Sequence, residues 1–143
     1  MEDKVIHILL VEDDEVDVMN VKRAFKKGNI TNPLYVANNG VEAFVKLRGD
    51  ETSSPEIPSV RRLILLDLNM PRMGGIEFLQ ELRADSALRH IPVIVLTTSN
   101  ADQDRVQAYD LNVAGYLLKP VTFSAFVEVV ITLNKYWTLC EIP

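Results

Sequence analysis

The chain contains a single cysteine, Cys140, so no internal disulfide can close and nothing ties the fold to an oxidising compartment. Histidine is nearly as scarce. His7 and His90 stand far apart, which leaves a zinc site without its usual donors and both residues with structural or surface roles. Long hydrophobic runs are missing too: none approaches the ~20 residues that a spanning helix requires. The opening Met1-Glu2-Asp3-Lys4 is acidic and lacks the basic start of a signal peptide. Fifteen Lys and Arg against twenty Asp and Glu leave a net charge of −5. That sign disfavours nucleic-acid backbones and anionic membrane surfaces. The expected setting is the cytoplasm, with neither nucleic acid nor membrane as partner.

What remains is an ordinary globular composition, 48% hydrophobic and 24% charged, over a length that suits one domain spanning 1–143. Short apolar runs over residues 5–11, 34–37, 63–66, 93–96 and 114–118 read as strands. The third and fourth show no polar alternation, as expected for strands covered on both faces. Helical spacing fills the gaps. Val18, Val21 and Phe25 recur between Asp14 and Gly28. Asn38-Asn39-Gly40 opens a second helix with Val41, Phe44 and Val45, and Gly74-Gly75 a third with Ile76, Leu79 and Leu82. A fourth over 102–111 carries Val106 and Tyr109 on one stripe, and a fifth from Thr122 carries Phe123, Phe126, Val130, Leu133 and Trp137. Residues 49–58, rich in Ser, Glu and Pro, read as a loop outside the core. Five successive βα units predict an α/β protein, a doubly wound parallel sheet with right-handed crossovers.

In such sheets ligands bind beyond the carboxyl ends of the strands. Glu12, Asp13 and Asp14 follow the first strand, Asp67 and Asn69 the third, Thr97, Thr98 and Ser99 the fourth, and Lys119-Pro120 the fifth. Each piece alone is commonplace: an acidic run is more often a solvated turn, and a Thr-Thr-Ser run a helix cap. Their joint placement at four strand ends is not. Two carboxylates ~5 Å apart repel by about 3 kcal/mol at an effective dielectric near 20. Converging acids therefore require cations, one from Lys119 and the rest from a hard divalent ion such as Mg²⁺. Metal, lysine and hydroxyl around a free carboxylate suit phosphoryl transfer to that carboxylate, and Asp67 is the best-placed nucleophile.

These segments, residues 8–14, 65–75, 92–97 and 115–120, resemble the receiver domains of two-component response regulators over nearly the whole chain. The resemblance implies a (βα)₅ sheet of strand order 2-1-3-4-5. It also implies a phosphoacceptor Asp67 fed by a partner histidine kinase, and Mg²⁺ held by Glu12, Asp13, Asp67 and the Asn69 carbonyl. Thr97 and Tyr116 match the switch pair, and Lys119 the phosphate-contacting lysine, commonly followed by a cis peptide to Pro120. Glu12 stands where Asp is commoner, and Val121 where many receivers carry Phe. The loop before Leu63 and the ending Tyr136-Trp137-Thr138-Leu139 resemble the small receivers paired with phytochrome kinases. With seven residues after Tyr136, the expected output is protein–protein contact.

The apolar tail over 137–143 has two readings: it folds back on its own subunit, or it supports a homodimer through the last helix and neighbouring strand. Deleting it and measuring mass in solution is the direct test. Three other functions compete. A flavin-nucleotide binder needs a small-residue phosphate loop where three acids stand. An aspartyl-phosphate phosphatase wants an acid at Asn69. A degenerate receiver would act as a scaffold and leave Asp67 unused.

Overall fold

Five apolar runs form the strands β1 (His7–Val11), β2 (Leu34–Ala37), β3 (Arg62–Leu66), β4 (Val93–Thr97) and β5 (Gly115–Leu118) in the computed structural model, which describes residues 5–70 and 73–143. Met1 to Lys4, and the Pro71 and Arg72 of the motif after Asp67, lie outside the described residues. All strands pair in parallel in the order β2-β1-β3-β4-β5, the predicted topology. Between them run α1 (Glu15–Lys27), α2 (Gly40–Arg48), α3 (Gly75–Ala84) and α4 (Asp102–Asp110), and α5 (Phe123–Leu139) follows β5. No helix among the described residues is long and apolar enough to cross a membrane.

Every residue of β1, β3 and β4 is buried, which explains why their sequences do not alternate. Successive side chains instead serve two cores. Leu9, Val11, Ile64, Leu66, Val93 and Val95 face Phe44, Leu47, Phe78, Leu79 and Leu82 of α2 and α3. Ile8, Leu10, Leu63, Leu65, Ile94 and Leu96 face Val21 and Phe25 of α1 and Phe126, Val130 and Trp137 of α5.

Four expectations need correction. Val5 is exposed, and β1 begins only at His7. The stripe predicted for α4 faces outward: Val106 and Tyr109 are exposed, and Ala108 alone of that helix is buried. The loop over 49–58 is not wholly outside the core. Its one large apolar side chain, Ile57, is 1% exposed and packs in the core with Phe44 and Leu47. Arg62 fixes it there by donating to the carbonyls of Ile57, Leu47 and Pro58 at 2.6, 2.7 and 2.7 Å, a cation spent on backbone acceptors. Finally, α5 runs through Leu139, so residues 137–139 are helix rather than tail. Trp137 is buried, Ile142 packs against the same core, and the Pro143 carbonyl accepts from the Arg61 N–H at 2.6 Å. The terminus folds back on its own subunit, with Leu139 left pointing outward.

Candidate functional site

Sheet pairing continues one residue beyond three of the strands and so fixes the backbone of the site. The Glu12 N–H donates to Ala37 at 2.9 Å, Asp67 to Val11 at 3.0 Å and Lys119 to Thr97 at 2.8 Å. The α3 N-terminus packs hard against the same point: a Cβ on Gly75 would lie 2.7 Å from the Asp67 carbonyl oxygen, so only glycine fits. Asp14 caps α1 by accepting from the N–H groups of Val16 and Asp17 at 2.8 and 3.2 Å. That turn aims Glu12 inward and leaves Asp13 exposed at the rim.

Glu12, Asp13 and Asp67 each bring a carboxylate oxygen to within 4.8 Å of the others. Lys119 Nζ sits among them, 2.6 Å from Glu12 Oε1, 2.9 Å from Asp17 Oδ2 and 3.8 Å from Asp67 Oδ2. Glu12 is 1% exposed, and its second oxygen, Oε2, is buried without a hydrogen-bond donor. A buried, undonated carboxylate oxygen beside two further acids fits a hard divalent cation, which would supply the missing charge. Carboxylate-only donors suit Mg²⁺ or Mn²⁺ better than zinc.

The same crowding governs protonation. Burial pushes the Glu12 carboxyl up to about 9, the neighbouring Asp67 and Asp17 add to the shift, and Lys119 pulls the other way. Burial alone would lower Lys119, but its bonds to Glu12 and Asp17 and the nearby negative charge raise it above its usual range. The lysine therefore stays cationic.

The remaining predicted residues line the adjoining loop. Thr97 is fully buried, and its hydroxyl accepts from the Ser99 N–H at 3.3 Å, leaving its own proton free to donate. Tyr116 donates its hydroxyl to the Ser99 carbonyl at 3.0 Å, and the Arg105 guanidinium lies 5.8 Å from its ring centre. Ser99 in turn donates to Asp104 at 2.5 Å. Asn69 is exposed, its N–H 3.4 Å from Asp67 Oδ1. The expected cis bond is absent: no cis peptide occurs among the described residues, so Lys119–Pro120 is trans. His7 is half spent on the Val60 carbonyl, 3.1 Å from its Nδ1, and His90 is exposed, both away from the site.

Sequence reasoning missed Asp17. An acid in the first helical turn reads as a favourable dipole partner and nothing more. Its spacing, five residues after Glu12 and inside a turn already capped by Asp14, was the available signal.

A doubly wound parallel sheet with this acidic pocket at its carboxyl edge is compatible with Mg²⁺ binding and aspartyl phosphorylation. Residues 8–131 match the response regulator receiver domain family, and the chain belongs to it. It is 38% identical over 130 residues to a probable methanogenesis regulatory protein, FilR2, of Methanothrix harundinacea, covering 91% of this chain and 82% of that one. Response regulator Rcp1 of Synechocystis is 36% identical over 132 residues, covering 91% and 87%. A Mn²⁺-bound form of Rcp1 superposes with a TM-score of 0.84 at 33% identity, covering 96% and 99%. The phosphorylated cyanobacterial phytochrome response regulator RcpA superposes with a TM-score of 0.82 at 32% identity, covering 97% and 99%.

Proposed function

We propose that the chain works as a lone receiver in the cytoplasm, taking a phosphoryl group on Asp67 from a phytochrome-type histidine kinase with Mg²⁺ bound. The observation that carries this reading is the gathering of Glu12, Asp13 and Asp67 around one lysine, with Glu12 Oε2 undonated. The Asp67 carboxylate oxygen would attack phosphorus of the phosphohistidine, and the P–N bond would break as the O–P bond forms. The imidazole leaves and takes up a proton from solvent. Glu12, Asp13, Asp67 and the Asn69 carbonyl would hold the Mg²⁺, which neutralises charge on the phosphoryl oxygens when bound. Lys119 and the free Thr97 proton would contact those oxygens. A receiver is a phosphoacceptor rather than a classical enzyme, and these same groups would assist both its labelling and its hydrolysis.

The Thr97 hydroxyl accepts the Ser99 N–H and the Ser99 carbonyl accepts the Tyr116 hydroxyl, so a phosphoryl group that drew Thr97 would pull on both. The proposed output is therefore a population shift of the face formed by α4, β5 and α5. Similarity to RcpA and Rcp1 supports the phytochrome-type kinase. The near-complete coverage of those relatives supports action as a single receiver. A homodimer through α5 and β5 belongs to the same reading, supported by the exposed Leu118, Tyr136 and Leu139.

Thermal shifts across pH test the site. Glu12 holds its proton more tightly folded, at about 9, than at its ordinary 4.5, so its burial destabilises increasingly as pH rises through that window. A cation that ligates the ionised carboxylate reverses that loss. Mg²⁺ should therefore raise Tm more at about pH 8.5 than at about pH 5.5. Beryllofluoride should add a further rise only with Mg²⁺, and none in Asp67→Asn. A Mg²⁺ shift indifferent to pH, or a beryllofluoride response retained in Asp67→Asn, would contradict the proposal.

A further inference from the structure

We infer that Asp17 is a positioning residue for phosphoryl transfer, holding Lys119 Nζ against Glu12 so that the ammonium's remaining proton is left for the group arriving on Asp67. The inference rests on the receiver reading above and deepens it. A lysine ammonium has three donors on a flexible stem, and what fixes its direction is the partners it finds. Here two are taken, at 2.6 Å by Glu12 and at 2.9 Å by Asp17. Nζ also lies 3.8 Å from an Asp67 oxygen, too far for a direct hydrogen bond, so its third proton is left to an oxygen that approaches from the side of that pair.

Glu12 alone cannot hold that aim, because one contact leaves the stem free to rotate about it. The second contact comes from a different element. Asp17 is set by the first turn of α1, whose cap at Asp14 accepts the Asp17 N–H itself. Its carboxylate is partly exposed while Lys119 is largely buried, so Asp17 reaches down to the lysine from the rim of the site. Burial pushes Asp17 up, but the neighbouring Glu12 carboxyl and the bond and charge of Lys119 bring it below its usual range, so it is present as the anion. The competing role is helix-start electrostatics alone, which would not act through Lys119.

The test uses the full chain with acetyl phosphate and Mg²⁺, reading the initial labelling rate by intact mass and then the half-life of the labelled form. Asp17→Ala should slow labelling roughly five- to tenfold, less than loss of a direct contact to the reacting group. Asp17→Asn keeps an acceptor oxygen and should recover part of that rate. In a Lys119→Met background, Asp17→Ala should change nothing further. Wild-type labelling rates in Asp17→Ala, or an equal slowing in both backgrounds, would overturn the inference while leaving the receiver reading intact. A wild-type chain that took no label at all would remove both.

Discussion

Alanine at Trp137 is expected to cost about 3–5 kcal/mol of folding stability. The indole is 1% exposed in the core that α5 shares with α1 and the sheet, and its ring lies 6.2 Å from that of Phe25 at a 44° tilt. Truncation removes that contact and leaves a cavity that the rigid sheet cannot close. Phenylalanine should cost much less. The indole Nε1 is buried without a hydrogen-bond partner, so the replacement discards an unsatisfied donor along with part of the ring. Urea unfolding should show a large fall in midpoint for Trp137→Ala at unchanged slope, and a small one for Trp137→Phe. A loss below about 1 kcal/mol for the alanine variant would mean that α5 does not depend on this anchor. The result also bears on assembly. Deleting residues 137–143 removes Trp137, so any change in mass would mix dissociation with unfolding. A cut after Leu139 spares the anchor and is the cleaner probe of a homodimer.

Replacing Lys119 by methionine should slow aspartyl labelling by about 100-fold, the cost of removing one preorganised cation from developing phosphoryl charge. Its effect on stability should depend on pH, with a sign that follows from the site. Lys119 pulls Glu12 back from its burial-driven rise and, together with Glu12, holds Asp17 low. Without it, the folded Glu12 value climbs further above 4.5, and the penalty for ionising it grows as pH rises. Asp17 loses a stabilisation that exists only above its ordinary 3.8. The two changes open different windows. The methionine variant should fall below wild type as pH rises through about 3.8, hold a steady deficit between about pH 5 and pH 8, and lose more as pH rises through about 9, where wild-type Glu12 ionises with help from Lys119. A deficit unchanged from about pH 8 to pH 10 and from about pH 3 to pH 5, with labelling near the wild-type rate, would show that the lysine is not coupled to the acids.

The sheet was legible because its central strands are buried on both faces, and burial on two faces leaves an unbroken apolar run in β1, β3 and β4. The candidate site was legible in part because parallel strands all end on one edge, so Glu12, Asp67 and Lys119 needed only their strand assignments to come together, with Thr97 ending a strand at the same edge. The failures share a cause: each depends on a tertiary partner that local sequence does not announce. Ile57 looks like a loop residue until Arg62 reaches across to its carbonyl. Val106 and Tyr109 have helical spacing, but α4 turns that stripe outward and packs through Ala108. Asp17 resembles any acid at a helix start until the fold brings Lys119 beside it, 102 positions along the chain. The cis bond at Pro120 came from family resemblance alone, and no residue pattern supported it.

The most direct test of the phosphoacceptor account is intact mass and peptide mapping after incubation with acetyl phosphate and Mg²⁺. The expected result is one phosphoryl group, on the peptide containing Asp67, absent with EDTA and absent in Asp67→Asn. Folded protein that takes no label and binds no beryllofluoride, or that carries its label on another residue, would contradict it and leave the scaffold reading in its place.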